Sequence, residues 1–241
     1  MRFLFSLLLL LASQVFAQET GLQPGSYSKS EADLSIKREA TGEISFQITA
    51  VSGIGHICAL EGSIHAGRAA LHSSFERRAN QPACMVDFVT SENGIEVKSN
   101  GPPCLEFCGA GASFENFEGI YIKPPSGCDG SGLTQTRNDF QRAYDNKAFA
   151  EARKILEPVL ARCAMVMGRY YADSIRNDLA ITQYHLHDYA GCKNTLESFR
   201  EETSKSDEQL KSQYSAFEEG SRLPIVRAAR TNLKLCDKPT N

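Results

Sequence analysis

Hydrophobic positions along this chain follow two different periods. From Tyr27 to Tyr121 the period is two. "ADLSIKRE" and "GEISFQITAV" set Leu34, Ile36, Ile44, Phe46 and Ile48 alternately with polar residues, the pattern of strands with one buried face. "CMVDFVTSENGIEVKS" carries two further runs around Glu92-Asn93-Gly94. Asn-Gly between alternating runs signals a hairpin, with Met85–Thr90 folding onto Ile95–Ser99. Together with "HICALEGSIHA" the pattern predicts about five to seven short antiparallel strands. A small barrel or sandwich is the natural way to bury their apolar faces.

"SGCDGSGLTQT", Ser126 to Thr136, reads as a Gly/Ser linker. Beyond it the period becomes helical, with Phe140, Ala143, Tyr144, Phe149, Ala152, Leu156 and Val159 on one stripe. Asn138 or Asp139 is the expected cap, and Pro158 should kink or shorten the second part. A second helical block covers 172–200, a polar one lies near 201–220, and a last helix is expected from Pro224 to about Cys236. The expected fold class is α+β: a signal segment over 1–17, a disulfide-stapled antiparallel β-domain over 18–125, a linker over 126–136, and an α-helical repeat-like domain over 137–241.

The two helical blocks repeat. At an offset of 40, Phe149 matches Tyr189, Ala150 matches Ala190, Ala152 matches Cys192, Arg153 matches Lys193, Leu156 matches Leu196 and Glu157 matches Glu197. Over roughly 137–200 this resembles tetratricopeptide repeats, which implies paired helices and a peptide-binding surface. It departs from them in period, 40 instead of about 34, and in having Lys147 and His187 where the turn glycine belongs.

Composition adds the compartment. "MRFLFSLLLLLASQVFA" has one basic residue, Arg2, an apolar run from Phe3 to Ala12, and small residues Val15 and Ala17 before a cleavage point. It reads as a secretory signal cleaved near Ala17. Gln14 stands where a lipoprotein would need cysteine, so no lipid or membrane anchor is expected, and the protein should be periplasmic or secreted. Removing Arg2 leaves 25 basic against 29 acidic residues, which gives no footprint for nucleic acid. Residues 26–128 carry 8 basic and 12 acidic side chains, an acidic excess that suits a basic partner.

All eight cysteines follow the signal, and an even count in an exported chain implies disulfides. Five (Cys58, Cys84, Cys104, Cys108, Cys128) precede the expected linker and three (Cys163, Cys192, Cys236) follow it. That odd split requires a bridge across the boundary, for which Cys128–Cys236 is the candidate, with Cys163–Cys192 inside the helical domain. The Asn93-Gly94 hairpin brings Cys84 near residue 101, which favours Cys84–Cys104 and leaves Cys108 for Cys58.

The stretch "CLEFCGAGASFENFEGIY", Cys104 to Tyr121, raises the question of chemistry. "HIC" and "PPCLEFC" approach a zinc-deaminase pattern but fail it twice: Cys58 replaces the glutamate, and three residues separate the cysteines. Cys108 on Gly109-Ala110-Gly111, with His56 or His65 as base, would suit a thiol nucleophile, and Glu106, Glu115 and Glu118 could supply paired carboxylates. His56 reads as structural, and His185 and His187 are spaced wrongly for a helical metal pair. The structural reading gives Gly109 and Gly111 a tight turn and makes Phe114, Phe117 and Tyr121 aromatic plugs.

The set His56-x-Cys58-x-Leu60-x-Gly62, then Cys84, Cys104-x-x-x-Cys108-Gly109-Ala110 through Phe114, and Gly119-x-Tyr121 resembles an exported proteobacterial β-domain. That domain is sometimes found beside lysozyme-inhibitor modules of the LprI type. The resemblance covers about 25–122 and implies fold and compartment; the inhibitor modules' own four-cysteine and S-G-x-R-Y patterns are not present. The expected role is a non-enzymatic protein-binding module of the cell envelope, with a lysozyme-like hydrolase as candidate partner and no cofactor or metal. Alternatives are a cysteine- or carboxylate-dependent hydrolase and a helical-repeat assembly adaptor.

Overall fold

The computed structural model describes residues 21–52, 55–72, 82–108 and 116–237. Among them, the first half forms eight strands: β1 (Gly25–Lys29), β2 (Ala32–Arg38), β3 (Ile44–Val51), β4 (Ile57–Ile64), β5 (Arg68–Leu71), β6 (Cys84–Ser91), β7 (Gly94–Ser99) and β8 (Gly119–Tyr121). They make two antiparallel sheets, β1-β2-β3-β4 and β5-β6-β7-β8. The expected hairpin is there, with Thr90 opposite Ile95. The barrel alternative is not: among the described residues no ladder joins the two sheets, and only isolated bridges form outside the strands, Ser28 with Ile122, Cys58 with Cys108 and His65 with Arg68. The outer strands of the second sheet, four and three residues long, are too short to carry the ladder across.

Alternation along each strand builds the core between the sheets. Leu34, Ile36, Phe46, Ile48 and Leu60 of the first sheet face Val86, Phe88, Ile95, Val97 and Tyr121 of the second. The Phe46 and Phe88 rings lie 4.7 Å apart. Full burial of each such side chain is worth roughly 1.5–3 kcal/mol. Gly62 admits the close approach of the sheets, since a Cβ there would lie 2.7 Å from Leu71 Cδ2.

The helical half comprises α1 (Gly130–Asp145), α2 (Phe149–Arg162), α3 (Arg169–His185), α4 (Tyr189–Thr195), α5 (Arg200–Thr203), α6 (Asp207–Lys211) and α7 (Ala216–Cys236). Three sequence expectations are corrected here. The segment 126–136 is largely helix, because α1 starts at Gly130 with Asp129, not Asn138 or Asp139, as its cap. Gly132 serves contact instead of flexibility: a Cβ there would sit 2.6 Å from the Gly127 backbone. The last helix starts eight residues before Pro224, on a capping box between Ser215 and Glu218, and Pro224 lies inside it. Pro158 likewise lies inside α2. Among the described residues no helix is long and apolar enough to cross a membrane.

All eight cysteines are bridged. Cys84–Cys104 forms as the hairpin favours, and Cys58–Cys108 is the pair expected to remain. The other two correct the expected pairing, being Cys128–Cys163 and Cys192–Cys236 in place of Cys128–Cys236 and Cys163–Cys192. The cause is the boundary. Cys128 directly precedes the cap of α1 and packs in the helical core with Cys163, so each half holds four cysteines and no bridge crosses.

The turns α1–α2 and α3–α4 are the same turn, made twice. Asn146, Lys147 and Ala148 donate their N–H groups to the carbonyls of Arg142, Tyr144 and Ala143. Leu186, His187 and Asp188 donate to those of Thr182, Tyr184 and Gln183, each pair displaced by 40 residues. Lys147 and His187 hold φ of 57° and 60°, a region that costs a residue with a Cβ about 1–2 kcal/mol. Glycine pays less there but loses more chain entropy on folding. Lys147→Gly and His187→Gly should therefore each stabilise by about 0.5 kcal/mol, read as a small rise in thermal midpoint; a fall at either site would contradict this.

Candidate functional site

The expected site residues of the β half converge on one clasp. The 3-10 turn Pro102–Phe107 contains Cys104 and ends at its C-cap, Cys108. Cys104 is bonded to Cys84 at the start of β6, and Cys108 to Cys58 in β4, opposite which it forms an isolated bridge. The short segment thus ties one sheet to the other, which is why its cysteines are spaced to bond different strands. Phe117 and Tyr121 are fully buried, and the Tyr121 hydroxyl donates to the Phe117 carbonyl at 2.6 Å. Burial, with a smaller contribution from Asp33, holds that phenol well above its usual range. Gly109, Phe114 and Glu115 lie outside the described residues.

The remaining motif positions are structural too. Gly119 has φ of 122° and would place a Cβ 3.5 Å from Lys29 Nζ. The Lys29 ammonium donates to the Glu118 carbonyl; burial lowers its pKa against the pull of Glu118 and Glu31. The Glu118 carboxylate accepts from the Ser99 N–H at 2.8 Å and the Ser99 hydroxyl at 2.5 Å. His56 closes the β3–β4 connection: its N–H donates to Ser52 Oγ at 3.0 Å, and its carbonyl accepts from Ser52 N–H at 2.8 Å. Because Cys108 is bonded to Cys58, the thiol-nucleophile reading lacks its thiolate. Among the described residues no group of three His, Cys, Asp or Glu side chains could hold a metal.

A second constellation lies on the helical half, where α1 and α3 are joined side by side by three rungs. The Tyr171 hydroxyl donates to the Leu133 carbonyl at 2.9 Å. Arg137 Nη2 lies 3.7 Å from Asp178 Oδ2. The Tyr144 hydroxyl lies 3.2 Å from His185 Nε2. At the turn end, the Phe149 ring stacks on His185 at 4.3 Å and 8°, with the edge of Tyr144 5.4 Å from Phe149. His187 is in the turn, not on a helix, and its Nδ1 meets the Tyr189 hydroxyl at 3.1 Å.

Electrostatically, the centre of this seam is Asp178. Burial pushes its carboxyl up, and Arg137 only partly offsets that. Tyr144 is raised by burial, then by Asp178 and Asp145. Tyr171 is raised by burial, with Arg137 pulling down and Asp178 pushing up. Both phenols therefore sense the Asp178 charge.

Sequence reasoning about single motifs misses this seam. The signal was in the repeat: Arg137 and Asp178, like Tyr144 and His185, stand 41 residues apart, and Tyr171, Asp178 and His185 recur every seven residues on α3. No protein-family model matches the chain, and no curated protein or solved structure matches it.

Proposed function

We propose that this protein is a non-enzymatic protein-binding module of the cell envelope, exported by its first 17 residues. In this reading the tetratricopeptide-like helical half receives a polypeptide along the α1/α3 seam, and the disulfide-stapled β half is its stable companion. The carrying observation is the twice-made turn, which sets two helical hairpins in register so that α1 and α3 present Tyr144, Tyr171, Arg137, Asp178 and His185 together. Aromatic and charged side chains gathered on a fixed scaffold are what a recognition surface needs.

A lysozyme-like hydrolase is the candidate partner, through the β-domain resemblance and the acidic excess of residues 26–128. The test is chemical crosslinking of the full chain in the native envelope, with crosslinks mapped by mass spectrometry, beside titration against several basic lysozymes. A partner crosslinked to Lys147, Lys154 or Lys193 is the expected result. Neither binding nor inhibition of any lysozyme would remove that partner, and crosslinks confined to the β half would remove the seam as the binding face.

A further inference from the structure

We infer that Asp178, on the rung between those of Tyr144 and Tyr171 along the α1/α3 seam, is the receiving group for a lysine or arginine side chain of the bound polypeptide. This rests on the protein-binding reading and names the chemistry of its partner.

The first observation is a contrast among carboxylates. Asp173 takes a hydrogen bond from Arg176 at 2.6 Å and one from Arg222. Asp188 takes them from Arg153 at 3.0 Å and the Gly191 N–H at 2.9 Å. Asp207 takes them from Arg227 at 2.7 Å and Arg230 at 2.8 Å. Asp178 is withdrawn from water about as far as Asp188 and Asp207, its side chain 30% exposed against 31% and 25%. Yet among the described residues its sole charged partner is Arg137 at 3.7 Å, beyond hydrogen-bond reach. A part-exposed carboxylate in that state keeps some water but lacks a full ion pair, so an incoming cation has a charged hydrogen bond to add.

The second observation is the setting. The Tyr144 and Tyr171 hydroxyls are already engaged by His185 and by the Leu133 carbonyl, which fixes both side chains on the seam, one rung to either side of Arg137–Asp178. Aromatic faces attract ammonium and guanidinium groups, and more strongly when these are partly desolvated. Arg137, 49% exposed, is an internal competitor for the same carboxylate. Its removal should help an external cation, whereas removal of a purely structural rung should not.

The test is an NMR titration of the full chain with an acetylated, amidated lysine–alanine octapeptide, with its glutamate–alanine counterpart as control. The basic peptide should shift signals of Tyr144, Tyr171 and Asp178, and the acidic one should not. Asp178→Asn should weaken binding about tenfold, the scale of one charged hydrogen bond, with little change in thermal midpoint. Arg137→Gln should tighten it. Unchanged affinity in Asp178→Asn, or weakened affinity in Arg137→Gln, would overturn the inference. If a protein partner crosslinks to the seam while the basic peptide fails to bind, this inference falls and the protein-binding reading survives. If the peptide binds at Asp178 and no protein partner is found, the reverse holds.

Discussion

Arg222→Met should destabilise the protein by roughly 3 kcal/mol, the low end of what breaking a buried ion pair costs. Arg222 is 2% exposed inside the helical half. Its guanidinium donates to Asp173 Oδ2 and to both carboxylate oxygens of Glu202, and it lies over the Phe199 ring at 5.1 Å. Methionine fills the space but leaves the buried Asp173 and the part-buried Glu202 without their shared cation. The loss falls short of the maximum because Asp173 keeps Arg176 and Glu202 keeps the Tyr214 hydroxyl at 2.5 Å.

The pH dependence should flatten with the mutation. Burial alone would raise Glu202, but hydrogen bonds from Arg222 and Tyr214 outweigh it and hold the carboxyl below its ordinary 4.5. A carboxyl depressed by folding stabilises above its unfolded pKa and loses that contribution as pH falls through its folded value. The natural protein should therefore weaken on acidification below about 4.5. In Arg222→Met only the Tyr214 hydrogen bond and the Arg169 charge still oppose burial, so the depression of Glu202 shrinks and that variant should lose less stability on acidification than the natural protein. Urea midpoints at several pH values decide it. A variant that weakens on acidification like the natural protein would show that Arg222 does not carry the network.

Which parts of the molecule were legible follows from how local their physics is. The period-two pattern located the long strands, since alternation is imposed residue by residue between a core and solvent. It passed over Arg68–Leu71, whose "RAAL" is too short to alternate convincingly. The Asn93-Gly94 hairpin fixed a register, and that register carried two correct disulfides. The helical pair of bridges is not legible because glycine and serine in 126–136 signal flexibility, whereas Gly132 makes close contact with Gly127. Pro224 was read as a helix start because proline favours the first turn. The box Ser215–Glu218, nine residues earlier, was the better signal and was visible in the sequence. Neither the Arg222 network nor the Asp178 seam could be read locally. Arg222 and Asp173 stand 49 residues apart, and only a packed fold brings them together.

Cys108→Ser should lower both secreted yield and stability, the latter by about 4 kcal/mol if the chain-entropy relation holds for a loop of this size. The bridge closes a sequence separation of 50, against 20 for Cys84–Cys104, so its loss should cost more than that of Cys104→Ser. Its place in the fold compounds this. Cys58 is fully buried in the first sheet, while Cys104 anchors the same short segment to the second. Cutting at Cys108 frees the segment from the first sheet and leaves an odd thiol at Cys58. During oxidative folding that thiol can attack other bridges, so the yield defect should exceed what stability alone predicts. Removing Cys58 as well should recover yield and leave the stability loss in place. Secreted yield, free-thiol titration and denaturant midpoints of the single and double variants separate these effects. Normal yield and stability in Cys108→Ser, with only an activity lost, would move this cysteine from the clasp to the chemistry.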